Sequence, residues 1–211
     1  MPKGLYAIVD ASFADGVPLP KLAEDYLRGG ASIIQLRDKN RKSSKQTQQF
    51  FFETAQKITQ LKNQFSFLFI VNDDPTIARE VGADGVHIGK DDASIAACRT
   101  ILPKPFLIGY SSHSLEEAID AEKRGADYVA FGAIYPTATK GPGHPVQGVE
   151  KLKEVVSRLS VPVIAIGGIG RHNIEAVLKT NVAGVAMITG LSKAANRVEE
   201  TRYFHSLVDI S

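Results

Sequence analysis

Short apolar runs recur along the whole chain. Eight of them have the length of a β-strand and are rich in Val, Ile, Leu and Phe: LYAIVD, SIIQLRD, FLFIVND, GVHIG, FLIGY, YVAFG, VPVIAIGG and GVAMITG. Most of these runs are continuous rather than alternating, which is typical of strands that are covered on both faces. The pattern therefore predicts eight buried strands of the kind found in parallel sheets.

Segments with helical spacing lie between the strands. In the clearest one, Leu115 and Ala118 fall on one helical face, Ser114 and Glu117 have the spacing of a capping box, and Gly125 is placed to end the helix. Further helices are predicted over residues 20–28, 43–62, 75–81, 93–100, 147–159, 171–179 and 192–207. Strands and helices thus alternate from one end of the chain to the other.

A joint between a helix and the next strand recurs four times. It appears as GGASIIQLR, VGADGVHIG, RGADYVAFG and NVAGVAMIT, each a helix stop, a small residue and a buried strand. A (β/α)8 barrel requires such a joint, because every helix must return the chain to the bottom of the next strand. We therefore predict an α/β fold, a single-domain (β/α)8 TIM barrel over residues 1–211. An open doubly wound sheet is the alternative, but no G-x-G-x-x-G follows the first strand, and eight units exceed what that fold needs.

Composition narrows the class of protein without changing this picture. The 211 residues are 44% hydrophobic and 23% charged, as in ordinary soluble domains. The apolar runs are too short for a membrane span, no signal peptide is visible, and Cys98 is the single cysteine, so we expect a cytoplasmic protein without a membrane partner. A net charge of +2 argues against a nucleic-acid partner.

Cationic side chains follow the second and sixth strands. In a barrel, functional residues lie at the carboxyl ends of the strands. Arg37 and Lys39 alternate with period two after strand 2, so both can point the same way, and Lys140 can reach them from the loop after strand 6. A guanidinium fork and ammonium point charges suit a phosphate chain. The alternative is that they are ordinary surface charges.

Acidic and glycine-rich positions occupy the other strand ends. Asp73 and Asp92 end strands 3 and 4, which are neighbours in a barrel, and carboxylates close to cations suggest Mg²⁺ bridging protein and pyrophosphate. Helix N-capping is the alternative, and Asp74 is expected to be a cap of this kind. GGIG after strand 7 and TG after strand 8 can present backbone N–H groups to a second phosphate, or can merely ease a turn.

Seven motifs, in this order, cover nearly the whole chain: QLRDK, VNDD, GVHIGKDDA, SSHSLEEA, GADYVAFGAIYPTATK, VPVIAIGGI and GVAMITG. Together they resemble the thiamine-phosphate synthase family of (β/α)8 enzymes. The resemblance implies a transferase that joins hydroxymethylpyrimidine diphosphate to thiazole phosphate and gives thiamine monophosphate and pyrophosphate. It also implies a dissociative reaction through a pyrimidine carbocation, so catalysis consists mostly of positioning and of stabilising the leaving group.

The resemblance also implies roles for individual residues. Gln35, Arg37, Lys39, Asn72, Ser111 and Lys140 would bind the pyrimidine diphosphate, with Arg37, Lys39, Ser111 and Lys140 as the catalytic set. Asp73 and Asp92 would hold Mg²⁺, and Thr137 and Thr139, with the backbone of Gly168, Ile188 and Thr189, would bind the thiazole phosphate. The expected partners are thus two small phosphorylated molecules.

Two other functions remain as alternatives. A thiazole tautomerase of the same fold would use His113 as acid and base, but it has no use for the complete diphosphate and metal set, so His113 is interpreted as structural or positioning. A barrel that only senses thiamine precursors gains no support from the sequence. His87 is interpreted as a packed strand residue.

Two further features leave questions open. The loop over residues 135–148 is predicted to carry ligand groups through Lys140 and to hinge over 141–145, so a lid is a hypothesis. The apolar residues of the last helix serve either a homo-oligomer or the closure of the barrel.

Overall fold

Eight parallel strands close into a barrel. The computed structural model of the protein describes residues 3–41, 43–137, 139 and 145–208. The strands pair in chain order, and β1 pairs with β8 as well as with β2. Their bounds are β1 Gly4–Asp10, β2 Ile33–Arg37, β3 Leu68–Asn72, β4 Gly85–Ile88, β5 Leu107–Ser112, β6 Tyr128–Gly132, β7 Val163–Ile166 and β8 Gly184–Met187. The predicted (β/α)8 barrel is confirmed, and the open sheet is excluded because it would leave β1 and β8 unpaired with each other.

Helices follow the strands as the hydrophobic spacing predicts. They are α1 Leu19–Arg28, α2 Lys45–Gln60, α3 Pro75–Glu80, α4 Ile95–Ile101, α5 Leu115–Lys123, α6 Gly148–Arg158, α7 Ile174–Leu178, α8 Thr189–Ser192 and α9 Arg197–Val208. The prediction of one helix over 192–207 is wrong, since α8 ends at Ser192 and α9 begins only at Arg197. Arg197 Nε donates to the Ser192 carbonyl at 3.0 Å, and Asn196 Oδ1 accepts from the backbone N–H of Glu199 at 3.1 Å. These two bonds end one helix and begin the next.

The recurring helix-to-strand joint has one backbone geometry. A residue two or three positions past the end of the helix is left-handed in all four copies: Gly30 (φ 96°), Gly82 (φ 69°), Gly125 (φ 94°) and Asn181 (φ 62°). In the three glycine copies, the N–H of the alanine that follows donates to the carbonyl five residues earlier at 3.0 Å. This is the Schellman arrangement, which satisfies the last carbonyls of a helix and turns the chain sharply. Asparagine takes the place of glycine in the fourth copy because it tolerates this conformation best among the other residues.

Asp127 ties the joint before β6 to the start of β5. Its Oδ2 accepts from the backbone N–H of Ile108 at 2.8 Å and from Arg99 Nη2 at 2.5 Å, and its Oδ1 accepts from Lys104 Nζ. Burial acts to raise the pKa of Asp127, but these three donors outweigh it, and the pKa lies below its ordinary value. The amino end of the barrel is thus held by a buried, ionised carboxylate.

The interior of the barrel holds its own small core. Its buried members are Tyr6, Ile8, Ile33, Ile70, Tyr128, Ile164 and Ala186, whereas the main core lies between the strands and the helices. Thr201, Phe204 and Val208 are the buried side chains of α9, which packs against α1 and β1. These apolar residues therefore close the barrel, while a homo-oligomer stays a prediction. Among the described helices, none has the length and apolar character to cross a membrane.

Candidate active site

The main cavity opens at the carboxyl ends of the strands. Predicted site residues that line it are Gln35, Arg37, Lys39, Asn72, Asp73, Asp92, Ser111, Thr139 and Ile188. A smaller cavity adjoins it, lined by Thr137, Gly168 and Thr189 among others, and the two share Thr139 and Ile188. The structure thus brings together the predicted residues that it describes, whereas Lys140 and residues 141–144 lie outside the described part of the chain.

The two described cations each pair with a carboxylate. Asp10 and Arg37 are partners in the register of β1 and β2, and the Arg37 guanidinium donates to Asp10 Oδ2. Lys39 Nζ donates to Asp73 Oδ2 at 2.6 Å. Both cations line the cavity, so the prediction from their period-two spacing is confirmed.

The helix caps are separate from the two acids assigned to the metal. Asp74 Oδ1 accepts from the N–H of Ile77 at 3.0 Å and caps α3, as predicted. The cap of α4 is Ser94, whose Oγ accepts from Ala97 N. Asp92 Oδ2 instead accepts from the N–H of Gly89 at 2.8 Å. N-capping therefore does not account for Asp73 or Asp92.

Asp73 and Asp92 form a pair at the mouth of the cavity. Asp73 has a left-handed backbone (φ 60°), its side chain is 6% exposed, and it lines the same cavity as Asp92. Burial would raise the pKa of Asp73, but Lys39, Asp92 and Arg41 together lower it. The pKa of Asp92 is raised, first by burial and then by the neighbouring charge of Asp73. Two neighbouring carboxyl groups repel each other when both are ionised, and a bound cation relieves that repulsion.

This pair fits a magnesium ion that completes its coordination elsewhere. Within the described ranges, no group of three or more His, Cys, Asp or Glu side chains gathers. Mg²⁺ is commonly bound through one or two carboxylates, with water and substrate phosphate oxygens as its other ligands. The donor set present here, two carboxylates beside two cations, matches that mode.

Asn72 has an unsatisfied donor beside the acids. It ends β3 and is 4% exposed, and its Nδ2 is buried without a hydrogen-bond partner in the part of the chain described. A buried amide of this kind costs about 1–3 kcal/mol when it stays unpaired. Because Asn72 lines the cavity, an acceptor on a ligand can satisfy it.

The smaller cavity has walls of glycine backbone and threonine hydroxyls. Gly167 and Gly168 have φ values of 101° and 67°, and a Cβ on Gly168 would lie 2.5 Å from the Pro136 carbonyl oxygen. Thr137 Oγ1 and Thr139 Oγ1 are 2.9 Å apart. The loop after β6 therefore packs directly on the glycines after β7, opposite Thr189 at the start of α8.

His87 is a packed residue of β4, as predicted, with 6% of its surface exposed. It also lines the cavity and bonds through both ring nitrogens, to Tyr128 Oη at 3.1 Å and to Ser111 Oγ at 2.8 Å, which the sequence did not predict. Tyr6 completes this interior set, accepting from Gln35 Nε2 at 2.6 Å. The signal in the sequence is a polar group at an inward position of a buried strand, a position defined only once the register is known.

His113 lies apart from this set. Its backbone N–H donates to Glu117 Oε2 at 2.7 Å, its Nδ1 is 3.4 Å from the same oxygen, and it is not among the described residues that line the main cavity. The predicted capping box is therefore only half correct. Ser114 Oγ accepts from Glu117 N at 3.1 Å, but the Glu117 carboxylate takes the N–H of His113 rather than that of Ser114. These contacts place His113 at the amino end of α5, and its structural or positioning role stays a prediction.

The closed barrel and the polar residues at its carboxyl rim define a (β/α)8-barrel enzyme. Comparison with known proteins specifies which kind. The chain belongs to the thiamine monophosphate synthase family (TMP-TENI), whose model matches residues 5–191.

Individual relatives agree with this assignment. Thiamine-phosphate synthase of Methanospirillum hungatei is 41% identical over 205 residues, which cover 97% of each chain. The enzyme of that name from Clostridium acetobutylicum is 36% identical over 97% of this chain and 94% of its own. Thiamine phosphate pyrophosphorylase from Pyrococcus furiosus has a solved structure that superposes with a TM-score of 0.88, at 35% identity over 98% of this chain and 96% of its own. The protein is thus a transferase of thiamine synthesis.

Proposed function

We propose that this enzyme joins hydroxymethylpyrimidine diphosphate to thiazole phosphate, with Mg²⁺, and releases thiamine monophosphate and pyrophosphate. The observation that carries the proposal is the pair of adjoining cavities with a shared wall at Thr139 and Ile188. One cavity has cations, carboxylates and an unpaired amide, and the other has glycine backbone and hydroxyls. Two phosphorylated substrates can therefore lie side by side with their reacting ends toward each other.

The pyrimidine diphosphate occupies the larger cavity. Gln35, Arg37, Lys39, Asn72, Ser111 and Lys140 bind it in this proposal. Arg37 and Lys39 contact the phosphate oxygens, and Asn72 Nδ2 gains the acceptor that it lacks. Charge on the departing pyrophosphate is thereby stabilised by cations that line the cavity, which lowers the barrier.

Asp73 and Asp92 would hold Mg²⁺ at the edge of this cavity. The ion would neutralise charge on the leaving pyrophosphate. Lys39, which now bonds to Asp73, is close enough to turn toward the same phosphate oxygens. The carboxyl group of Asp92 must be ionised to act as a ligand, and its pKa is raised, so binding of the ion would be favoured as pH rises through that pKa.

The thiazole phosphate occupies the smaller cavity. Thr137 and Thr139 offer hydroxyl groups, and Gly168, Ile188 and Thr189 offer backbone N–H groups. A side chain on Gly168 would fill the space against the loop after β6, so glycine is needed for this close approach. The site fixes the phosphate and thereby aims the ring nitrogen at the neighbouring cavity.

The reaction needs no nucleophile from the protein. The bond between the pyrimidine methylene carbon and the diphosphate oxygen breaks, and the oxygen keeps the electron pair. The thiazole nitrogen then donates its lone pair to that carbon. Apolar side chains of Ile8, Ile166 and Ile188 line the cavity beside the polar groups and help to keep water from the pyrimidine carbocation.

The wider setting of the enzyme is part of the proposal. We place it in the cytoplasm as a single domain, with small molecules as its partners and without nucleic acid. Both buried clusters of the described residues belong to the barrel and its helices, which supports a single domain.

Pyrophosphate release tests this function directly. We expect release only when both substrates and Mg²⁺ are present. The departing pyrophosphate needs Mg²⁺ to neutralise its charge, and the pyrimidine carbocation needs the thiazole nitrogen to capture it. Omission of either substrate, or excess EDTA, should stop it. Release at full rate in EDTA contradicts the metal role. Conversion of a thiazole phosphate tautomer without any pyrophosphate would instead identify the tautomerase.

A further inference from the structure

Five polar side chains form a continuous line inside the barrel. From Gln35 on β2 the line passes to Tyr6 on β1, Tyr128 on β6, His87 on β4 and Ser111 on β5. The successive contacts are 2.6 Å from Gln35 Nε2 to Tyr6 Oη, 3.0 Å between the two tyrosine Oη atoms, 3.1 Å from Tyr128 Oη to His87 Nδ1, and 2.8 Å from His87 Nε2 to Ser111 Oγ. The first four are more than nine-tenths buried. A polar line in this core is costly unless each member is paired.

Counting hydrogens gives the line a direction. The Gln35 amide nitrogen is a donor, so Tyr6 Oη accepts from it. Burial raises the pKa of both tyrosines above the ordinary value, and each hydroxyl therefore keeps its one hydrogen. The arrangement in which Tyr6 donates to Tyr128 and Tyr128 donates to His87 Nδ1 gives both of these hydrogens a partner within the line, and it is the direction that we infer. A neutral imidazole that accepts at Nδ1 donates at Nε2, so Ser111 Oγ accepts from His87.

The two ends of the line face the cavity with opposite character. Ser111 accepts from His87, and its own hydrogen is left for an acceptor in the cavity that it lines. Gln35 uses its amide nitrogen on Tyr6, and its Oε1 is left as an acceptor. One end therefore suits a phosphate oxygen and the other suits an N–H group.

We propose that these five side chains act as one directed hydrogen-bond chain that makes Ser111 a donor to the leaving diphosphate and Gln35 an acceptor for an N–H group of the pyrimidine. Tyr6, Tyr128 and His87 are then positioning residues of the transferase, since they act through Ser111 and Gln35. The inference rests on the proposed function, because the diphosphate is the ligand that it assigns to Ser111.

The backbone of β5 makes room for the middle of the chain. Gly109 is the register partner of both His87 and Tyr128, so the three lie at one level of the barrel. A Cβ on Gly109 would lie 2.1 Å from Tyr128 Cζ and 2.4 Å from its Oη. The phenol therefore passes over β5 where that strand has no side chain, and glycine allows the contact between Tyr128 and His87.

Breaking the contact between Tyr128 and His87 should disable the Ser111 end of the hydrogen-bond chain. Without the Tyr128 hydroxyl, the hydrogen-bond chain no longer donates to His87 Nδ1, and the ring can carry its hydrogen there. Its Nε2 then accepts from Ser111, whose hydrogen is no longer available to the ligand. Tyr128→Phe should thus imitate Ser111→Ala, although the two residues do not bond to each other.

A double-mutant cycle on product binding tests this coupling. Binding of inorganic pyrophosphate with Mg²⁺ is measured by calorimetry for wild type, Tyr128→Phe, Ser111→Ala and the double variant. We expect each single change to weaken binding about tenfold, the usual effect of losing one hydrogen bond to a charged group. The double variant should bind no more weakly than Ser111→Ala. Tyr110→Phe is the matched control, because Tyr110 precedes Ser111 but packs in the outer core.

The possible outcomes test the hydrogen-bond chain and the proposed function separately. Independent, multiplying losses, or a Tyr128→Phe protein that binds like Tyr110→Phe, would overturn the chain. In turnover assays Tyr128→Phe should lower kcat/KM for the pyrimidine diphosphate and leave the KM for thiazole phosphate unchanged, whereas a general loss of structure would move both. Tyr6→Phe breaks an earlier link and serves if Tyr128→Phe fails to fold. Non-additive pyrophosphate binding in a protein that cannot join the two substrates would instead contradict the function and leave the chain standing.

Discussion

Asp73 and Asp92 show how two identical side chains acquire different pKa values. Burial acts on both, but Asp73 has Lys39 against it and keeps a lowered pKa, while burial and the neighbouring carboxylate raise the pKa of Asp92. A divalent ion would favour the ionised form of both carboxyl groups. The two acids therefore titrate differently although the sequence presents them alike.

Replacing either proposed ligand group should stop the reaction and leave the fold intact. We expect Asp92→Asn and Lys140→Ala each to lower kcat/KM about a hundredfold or more, in line with the loss of one group that stabilises charge in the transition state. Steady-state pyrophosphate release measures the rates, and thermal melting checks the fold. Asp91→Asn and Lys153→Ala are matched controls, since both residues are exposed. Unchanged rates in both site variants would refute the assigned mechanism.

Most of the site was located from the sequence by the rule that functional residues of a barrel lie at the carboxyl ends of its strands, where those ends must meet. It placed Arg37, Lys39 and Asp73 correctly. It did not find Tyr6 or His87, since inside a closed barrel the inward positions of buried strands carry no hydrophobic pattern of their own. Their role depends on contacts between distant strands, which follow from the register alone.

The helix-to-strand joint is the element that repeats and that the sequence predicted best. Its signal was strong because a left-handed residue is needed at one fixed place, and few residue types accept it. The break between α8 and α9 was missed for the opposite reason. Ser192, Arg197 and Asn196 end and begin helices through side-chain bonds that helical spacing does not reveal.

Asn181 offers a test of the joint that leaves its contacts in place. Its φ of 62° is unfavourable for alanine and easy for glycine. We expect Asn181→Ala to lower the free energy of unfolding by about 1 kcal/mol and Asn181→Gly to change it by much less. Urea denaturation of the two variants gives the comparison. Equal stabilities for alanine and glycine would show that backbone conformation is not the cause.

Asp127 predicts a pH dependence for the amino end of the barrel. Its folded pKa is below the ordinary value of 3.8, so its stabilising effect is complete above the unfolded pKa and is lost as pH falls through the folded pKa. Asp127→Asn should lower the free energy of unfolding by about 1.5–3 kcal/mol at pH 7. The difference from wild type should stay constant from pH 5 to 8 and shrink below about pH 4. Asp120→Asn, at an exposed ion pair, is the control in urea titrations.

At the scale of the whole molecule, closure of the barrel makes each strand depend on two others. β1 pairs with β8 at one edge and with β2 at the other, so the first and last strands stabilise each other directly. Opening any seam would expose two edges with unpaired backbone groups. We therefore propose that the chain unfolds as one unit.

Two spectroscopic probes can test this cooperativity. The protein has no Trp, so its fluorescence comes from tyrosine, and Tyr6 and Tyr128 lie in the barrel interior. Far-ultraviolet circular dichroism follows mainly the outer helices. We expect both signals to change at the same urea concentration, as in a single cooperative transition. Separate midpoints would contradict a single cooperative transition.

The pairing of both described rim cations with carboxylates has a further consequence. Arg37 is already held by Asp10 and Lys39 by Asp73. An arriving diphosphate that binds these two cations must displace Asp10 and Asp73 from them, so it binds by exchanging one anion for another. Such an exchange depends less on ionic strength than capture by bare positive charge, since the long-range field that salt screens is small from the start. Affinity for the substrate should accordingly be governed by the geometry of the partners exchanged rather than by the amount of charge.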